Sequence, residues 1–396
     1  MPIRIINFFA VCIICIAISC CGCGKAGEKS KQLDEVMVQA EGKKDMILLT
    51  DRPPNLETPL KYFLLDFTPN DVFFVRWHLP VLPKHIQEDT FRLRIHGAVN
   101  QVLAYSMSDL KTQFAKDSVV ALAACAGNAR SFLDPKVPGG QWKNGAMGNA
   151  KWTGVRLKDI LEKAGLKKEA FEVTFNGMDL PSMPDVPDFV KSLKVNHAMD
   201  GEVMIAYAMN DEPLPILNGY PLKLVVPGWY ATYWVGMLNE INVVSDTFNG
   251  FWMKKAYLKP KGVSNANESP DSLSKNLEPV NVLDVRSIFV TPEPDSILKV
   301  GDTCEIQGLA FDSGQGIVKV EISIDNGQSW QYTLLDPELG KYAWRRWRFT
   351  IIPKSNCDLK LKIRATNASG ETQPEHHWNR SGYLRNEIES LQLEVK

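Results

Sequence analysis

Ala123-Ala-Cys-Ala-Gly-Asn-Ala-Arg130 is the stretch of this chain from which its fold and chemistry are most directly read. Pro138-Gly-Gly-Gln-Trp142 and Gly145-Ala-Met-Gly-Asn-Ala-Lys-Trp152 follow it closely. Small neighbours leave the sulfur of Cys125 approachable, Gly127 permits close backbone approach, and Arg130 brings positive charge nearby. Such a setting suits a sulfur acting as a nucleophile or as a soft metal ligand. The plain alternative is a buried, inert cysteine.

Outward from this segment, 48–258 mixes short β-type runs with helical patches and is heavily punctuated by Pro and Gly. Phe91-Arg-Leu-Arg-Ile-His96 and Leu222-Lys-Leu-Val-Val226 are such runs, and Leu157 to Ala164 is such a patch. An irregular α+β domain with long surface loops is predicted there. Residues 259–285, rich in Pro, Ser, Asn, Lys and Glu with little periodicity, read as a linker. Beyond it, 286–396 changes grammar. Cys304–Phe311, Val318–Ile324, Trp344–Ile351 and Leu359–Ala365 alternate in period two, and Asp325-Asn-Gly327 is a hairpin turn. Short strands so spaced predict an immunoglobulin-like β-sandwich. Cys304 and Cys357 share the parity of their strands' apolar residues, so they read either as a disulfide or as two buried thiols.

The N-terminus reads as an address. An apolar run from Ile5 to Ile18 ends in Ser19-Cys20-Cys21-Gly22, too short to span a bilayer and laid out as a signal peptide over 1–24. Cys20 is placed as the lipidated cysteine of a bacterial lipoprotein, with simple secretion or a retained anchor the alternatives. Residues 25–47 read as a polar flexible tether. The expected location is the cell envelope, periplasmic or lipid-anchored.

The chain has 396 residues, 45 Lys+Arg against 46 Asp+Glu, and 44% hydrophobic residues. Two globular domains are expected and nucleic acid is not an expected partner. Five of the eight cysteines crowd the N-terminus, so the body is no disulfide scaffold. The six histidines lack zinc-site spacing, and no Cys-x-x-Cys-His marks a covalent c-type haem. Walker-type and Rossmann glycine patterns are also absent from the sequence.

The cysteine segment resembles the sulfite oxidase family of molybdenum enzymes, in which a cysteine in a Cys-Ala-Gly-Asn context is the protein's sulfur ligand to the metal. The resemblance runs over roughly 60–390. Phe74-Val-Arg-Trp-His-Leu-Pro80 is similar to the family's N-terminal pterin and substrate segment, and Phe175-Asn-Gly-Met-Asp179 to an internal cofactor contact. Gly219-Tyr-Pro-Leu-Lys-Leu-Val-Val-Pro-Gly228 is similar to the pterin-phosphate segment. Trp252–Tyr257 resembles the end of the catalytic domain, and Trp378-Asn-Arg-Ser-Gly382 its dimerisation domain.

The resemblance implies a molybdenum–molybdopterin cofactor with Cys125 as metal ligand. Its implied contacts are Phe74, Val75, Arg76, Trp77, His78, Cys125, Asp179, Asn218, Lys223, Trp234, Val235 and Gly236. Arg76, Arg130 and Arg380 would face the substrate oxyanion, Trp142 would wall the pocket, and the Tyr257 hydroxyl would orient substrate and assist proton movement. The sequence departs from the animal enzymes at Trp77, Asn218, Lys223 and Gly236, where they carry Asn, His, Arg and Lys. Their third substrate arginine aligns with Ser381, beside Arg380.

The implied activity is oxidation of sulfite to sulfate by a homodimer, with electrons leaving to an external carrier such as a c-type cytochrome. The alternatives are the same cofactor acting on another small oxidised or sulfur substrate, as a reductase or sulfane dehydrogenase, and a non-catalytic envelope binding protein.

Overall fold

The computed structural model describes residues 42–294 and 296–396, together with the backbone of Arg4–Ile5 and Met37–Ala40. The signal-peptide expectation for 1–24 lies, but for two backbone residues, outside this range. Among the described residues no helix is long and apolar enough to cross a membrane.

Two sheets build most of the first body. In one, Asp117–Ala124 pairs antiparallel with Met147–Arg156, running from Asp117 opposite Gly154 to Ala124 opposite Met147. Met204–Met209 continues this sheet and also carries Lys223–Val225. In the other, Lys191–Lys194, Glu172–Gly177, Leu238–Val244, Leu93–Gly97 and Leu103–Tyr105 lie in that order, with one parallel pair. The last four residues of Asp117–Ala124 are all buried, because its small alanines let other elements cover both faces. That strand delivers Cys125 at its C-terminal end. The helix Leu157–Ala164 buries Leu157, Ile160, Leu161 and Ala164 on one stripe and ends at Gly165, whose φ is +69°.

The tether expected over 25–47 is strand where it is described: Met37–Ala40 pairs antiparallel with Lys43–Thr50, and 25–36 lies outside the described residues. Lys43–Thr50 is a strand paired with Asn55–Glu57, which pairs in turn with Val75–Arg76. Met46 is fully buried, and Lys43 donates from Nζ to the Phe73 carbonyl (2.9 Å) and Asn218 Oδ1 (2.5 Å). A polar composition concealed this strand because its buried lysine is satisfied by fixed oxygens rather than by water.

The expected sandwich has two sheets. Arg286–Thr291, Cys304–Phe311, Arg345–Ile351 and Leu334–Leu335 form one; Ile297–Leu298, Glu389–Val395, Cys357–Asn367, Ile317–Ser323 and Gln331–Tyr332 form the other. Leu361, Ile363 and Ala365 point into the core against Leu391 and Leu393, with Ile306 and Trp347 closing it. Asn326 and Gly327 have φ of +61° and +94°, as the tight turn after Ile317–Ser323 requires. Cys304 and Cys357 are free thiols on different sheets, and Cys357 is exposed. Neither the disulfide nor the buried pair is formed, because shared strand parity does not bring two strands of opposite sheets to one place.

The segment 259–285 is packed rather than slack. Leu258–Pro260 pairs with Leu277–Pro279, and Ala266, Val280, Leu283 and Val285 are buried. Its turns hide it from a search for periodicity. The two bodies also share a core: Phe63 meets Trp344 with ring centroids 5.0 Å apart, and the Leu384 N–H donates to the Ala126 carbonyl at 2.8 Å.

Candidate active site

Cys125 is 5% exposed, and its N–H is tied to the Ala146 carbonyl at 2.9 Å. The Asn128 N–H returns to the Cys125 carbonyl at 3.0 Å, and Ala129, with φ +65°, turns the chain back. Arg130 is thereby folded under the loop. Its Nη1 donates to the Gly140 carbonyl and its Nη2 to the Ser381 carbonyl, each at 3.1 Å. Its Nε has no partner, and its guanidinium lies 4.9 Å from the Tyr383 ring centroid. Glycine is required around it: a Cβ on Gly127, Gly139 or Gly382 would stand 2.9, 2.7 and 2.7 Å from guanidinium atoms. These three glycines form a sleeve for one side chain.

Arg76 arrives from the strand Val75–Arg76. Its Nη1 donates to the Trp77 carbonyl and to Asn55 Oδ1 (3.3 Å), and its Nη2 to the Tyr257 hydroxyl (3.4 Å). Among the described residues neither Arg76 nor Arg130 pairs with a carboxylate. Tyr257, with φ +54°, stacks on Tyr383 at 5.0 Å and sets its hydroxyl 2.5 Å from His78 Nε2. Arg76 donates into the phenol oxygen, which also hydrogen-bonds with His78 Nε2. Burial, then Arg76 and Lys191, hold the His78 pKa well below its ordinary value, so the imidazole is neutral. Burial raises the pKa of Tyr257, which stays protonated.

Two cavities meet here. One, of about 280 Å³, is lined by Arg76, Cys125, Arg130, Trp142, Tyr257 and Tyr383 among others. The other, a narrower cleft, is walled by Phe74, Trp77, Asp179, Lys223, Trp234 and Gly236, with Asn218 and Val235 beside them. Arg76, His78, Cys125 and Tyr257 line both. In the cleft, the buried Oδ2 of Asp179 has no donor, and desolvation raises its pKa to about 7. Desolvation also lowers the pKa of Lys223 to about 8, and among the described residues no acid pairs with it.

Of the residues expected from sequence, two fall elsewhere. Val75 is 1% exposed and lines neither cavity, because strand alternation sends Arg76 to the site and Val75 into the core. Arg380 is also elsewhere: its Nη2 sits 2.6 Å from Glu268 Oε1 and 2.6 Å from the Ser274 carbonyl. Glu268 is almost fully buried and takes that charge. Tyr383, Asn55, the Ser381 carbonyl and the buried Lys191 were not anticipated. Tyr383 follows directly on the Trp378–Gly382 motif, whereas Asn55 and Lys191 carry no sequence signal.

Among the described residues no three His, Cys, Asp or Glu side chains converge, so a metal held at Cys125 brings most of its donors with it. Residues 78–252 match the oxidoreductase molybdopterin binding domain and residues 278–394 the Mo-co oxidoreductase dimerisation domain. Sulfite oxidase of Gallus gallus is 30% identical over 351 residues, covering 85% of this chain and 75% of that protein. The chain belongs to the sulfite oxidase family. Mitochondrial sulfite oxidase of Rattus norvegicus is 33% identical over 364 residues, 87% of this chain; the match spans 65% of that longer relative. The sulfane dehydrogenase SoxCD of Paracoccus pantotrophus shares the fold, with a TM-score of 0.75, 24% identity, and coverage of 87% of this chain and 85% of that one. Members of the sulfite oxidase family carry molybdenum–molybdopterin, and this cleft fits that group. It offers an acceptor lacking a donor at Asp179, a cation lacking a counterion at Lys223, and a thiol where the two cavities join.

Proposed function

We propose that this chain oxidises sulfite to sulfate at the junction of the two cavities and passes the electrons to a separate carrier such as a c-type cytochrome. The observation that carries this reading is the placement of Arg76 and Arg130, two guanidinium groups without carboxylate partners, on the cavity that holds Cys125. Desolvated cations left without counterions are matched to a small oxyanion, which their forked donors can bind. The names of the similar proteins support sulfite as that anion.

In this reading Cys125 holds the metal, Asp179 accepts from the pterin's N–H groups, and Lys223 meets its phosphate. The bound molybdenum centre supplies two-electron redox chemistry and exchange of one oxygen atom with the substrate. The chain's own residues do the rest. Arg76 and Arg130 bind and orient the oxyanion, while Trp142 and Tyr383 narrow the cavity and exclude water. Tyr257 keeps its proton because burial raises its pKa, so its hydroxyl orients the oxyanion by hydrogen bonding, and neutral His78 holds that hydroxyl in place. A homodimer formed through 286–396 belongs to the same reading and is supported by the dimerisation-domain match. So does a cell-envelope location with a lipid anchor at Cys20, which rests on the N-terminal apolar run.

Purified holoprotein should contain about one molybdenum per chain and reduce cytochrome c when given sulfite. Full metal content without sulfite-driven reduction of any acceptor would rule out the substrate, and turnover on a sulfane donor instead would reassign it.

A further inference from the structure

Lys191 begins the edge strand Lys191–Lys194 and is fully buried. Its Nζ donates to the Trp252 carbonyl at 2.8 Å and lies 4.5 Å from the Tyr233 ring centroid and 5.3 Å from that of Tyr257. Among the described residues no carboxylate pairs with it. An ammonium withdrawn from water without a counterion is costly, and aromatic faces offset only part of the loss. Such a group persists where its charge is used.

The place where it is used is close by. Tyr257 lines the substrate cavity and Lys191 does not; the ammonium lies 5.3 Å from the centroid of that ring, whose hydroxyl meets Arg76 and His78 on the cavity wall. With protein rather than water between them, a charge at this range is weakly screened. Its effect already reaches His78 on the cavity wall, where it is one cause of the neutral imidazole. Arg380, expected as the third substrate cation, is spent on Glu268.

We propose that Lys191 is the third cation of the anion site, a buried ammonium beside the Tyr257 ring that acts on the bound oxyanion with no carboxylate to cancel it. This rests on the reading of the cavity as a sulfur-oxyanion site. Burial lowers the pKa of Lys191 to about 7, and an anion in the cavity would favour its charged form.

The test uses holoenzyme and sodium sulfate as the probe, titrated calorimetrically at fixed ionic strength. Lys191→Gln keeps a donor for the Trp252 carbonyl and removes the charge; Lys191→Met removes both; Lys191→Arg restores the charge. We expect the two neutral variants to bind sulfate about tenfold more weakly, a loss of about 1.4 kcal/mol, and to raise the KM for sulfite more than they lower kcat. Lys191→Arg should recover most of the affinity. Unfolding temperatures of the neutral variants should equal or exceed wild type, because an unpaired buried charge has gone. Neutral variants that bind sulfate within about twofold of wild type would overturn the proposal, as would a wild-type enzyme that binds no sulfate. Wild type that binds sulfate in a Lys191-dependent way, yet fails to oxidise sulfite, would sustain Lys191 as the anion's third cation and refute only the assigned substrate.

Discussion

Arg286, the first residue of the sandwich, donates from Nη1 to Asn128 Oδ1 at 2.6 Å, three residues beyond Cys125. Its Nη2 reaches Asn144 Oδ1 and Glu389 Oε1, each also at 2.6 Å, and Arg385 adds a second bond to Glu389 at 2.9 Å. Asn128 and Asn144 belong to the two segments that frame the thiol, so the second domain supports the cysteine loop from beneath. Arg286→Met strands both amide oxygens and leaves Glu389 with one partner. Chemical denaturation should show a loss of about 3 to 5 kcal/mol, and in cofactor-free protein Cys125 should react faster with an alkylating reagent. Unchanged stability and reactivity would show the support to be dispensable.

Gly139 has φ +109°, and an added Cβ would stand 2.7 Å from Arg130 Nη1. Gly139→Ala should therefore move the guanidinium and raise the KM for sulfite about tenfold or more, since small misplacements of a binding group are heavily penalised. Steady-state kinetics checks this, with molybdenum content expected to stay at the wild-type level.

Tyr257→Phe removes the hydroxyl shared by His78 and Arg76. We expect kcat to fall about 10- to 100-fold. Because the His78 pKa lies well below its ordinary value, the wild-type rate should show no loss on passing through the ordinary histidine value of about 6.5. A pH–rate profile reads both effects.

Asp179 has its pKa raised to about 7, chiefly by desolvation. The folded, cofactor-free protein retains a proton there that the unfolded chain releases near pH 4. The carboxyl's contribution to stability is thus full below about pH 4 and is lost as the pH rises to about 7. Above that range cofactor-free Asp179→Asn should be more stable than wild type by about 2 to 4 kcal/mol, while the holoprotein variant retains less molybdopterin. Unfolding curves across pH, with metal analysis, test the two opposite signs.

Arg380→Gln leaves the buried carboxylate of Glu268 without its cation. The arginine is partly exposed, so a stability loss of about 1 to 3 kcal/mol is expected. The KM for sulfite should stay within about twofold of wild type; a tenfold rise would return Arg380 to the substrate site.

The sandwich was legible because period-two alternation survives in sequence: Leu361, Ile363 and Ala365 are buried as their spacing requires. The helix Leu157–Ala164 and the segment around Cys125 were legible for similarly local reasons. The strand Lys43–Thr50 was not, since buried Lys43 looks like a solvated residue until the oxygens of Phe73 and Asn218 are placed around it. Arg380 and Lys191 misled in opposite directions. An arginine inside a recognisable motif is neutralised by a glutamate 112 residues away, and a lysine outside any motif lies 5.3 Å from the ring of the site's tyrosine.

The amino-acid sequence alone determined the two-domain order, the sandwich, and the cysteine and arginines that make an anion and a soft metal plausible together, because period, turn chemistry and residue type are local properties. Only the tertiary structure decided which cations remain without counterions. That outcome depends on which carboxylates, carbonyls and rings the fold brings within a few ångströms, and those partners come from both domains.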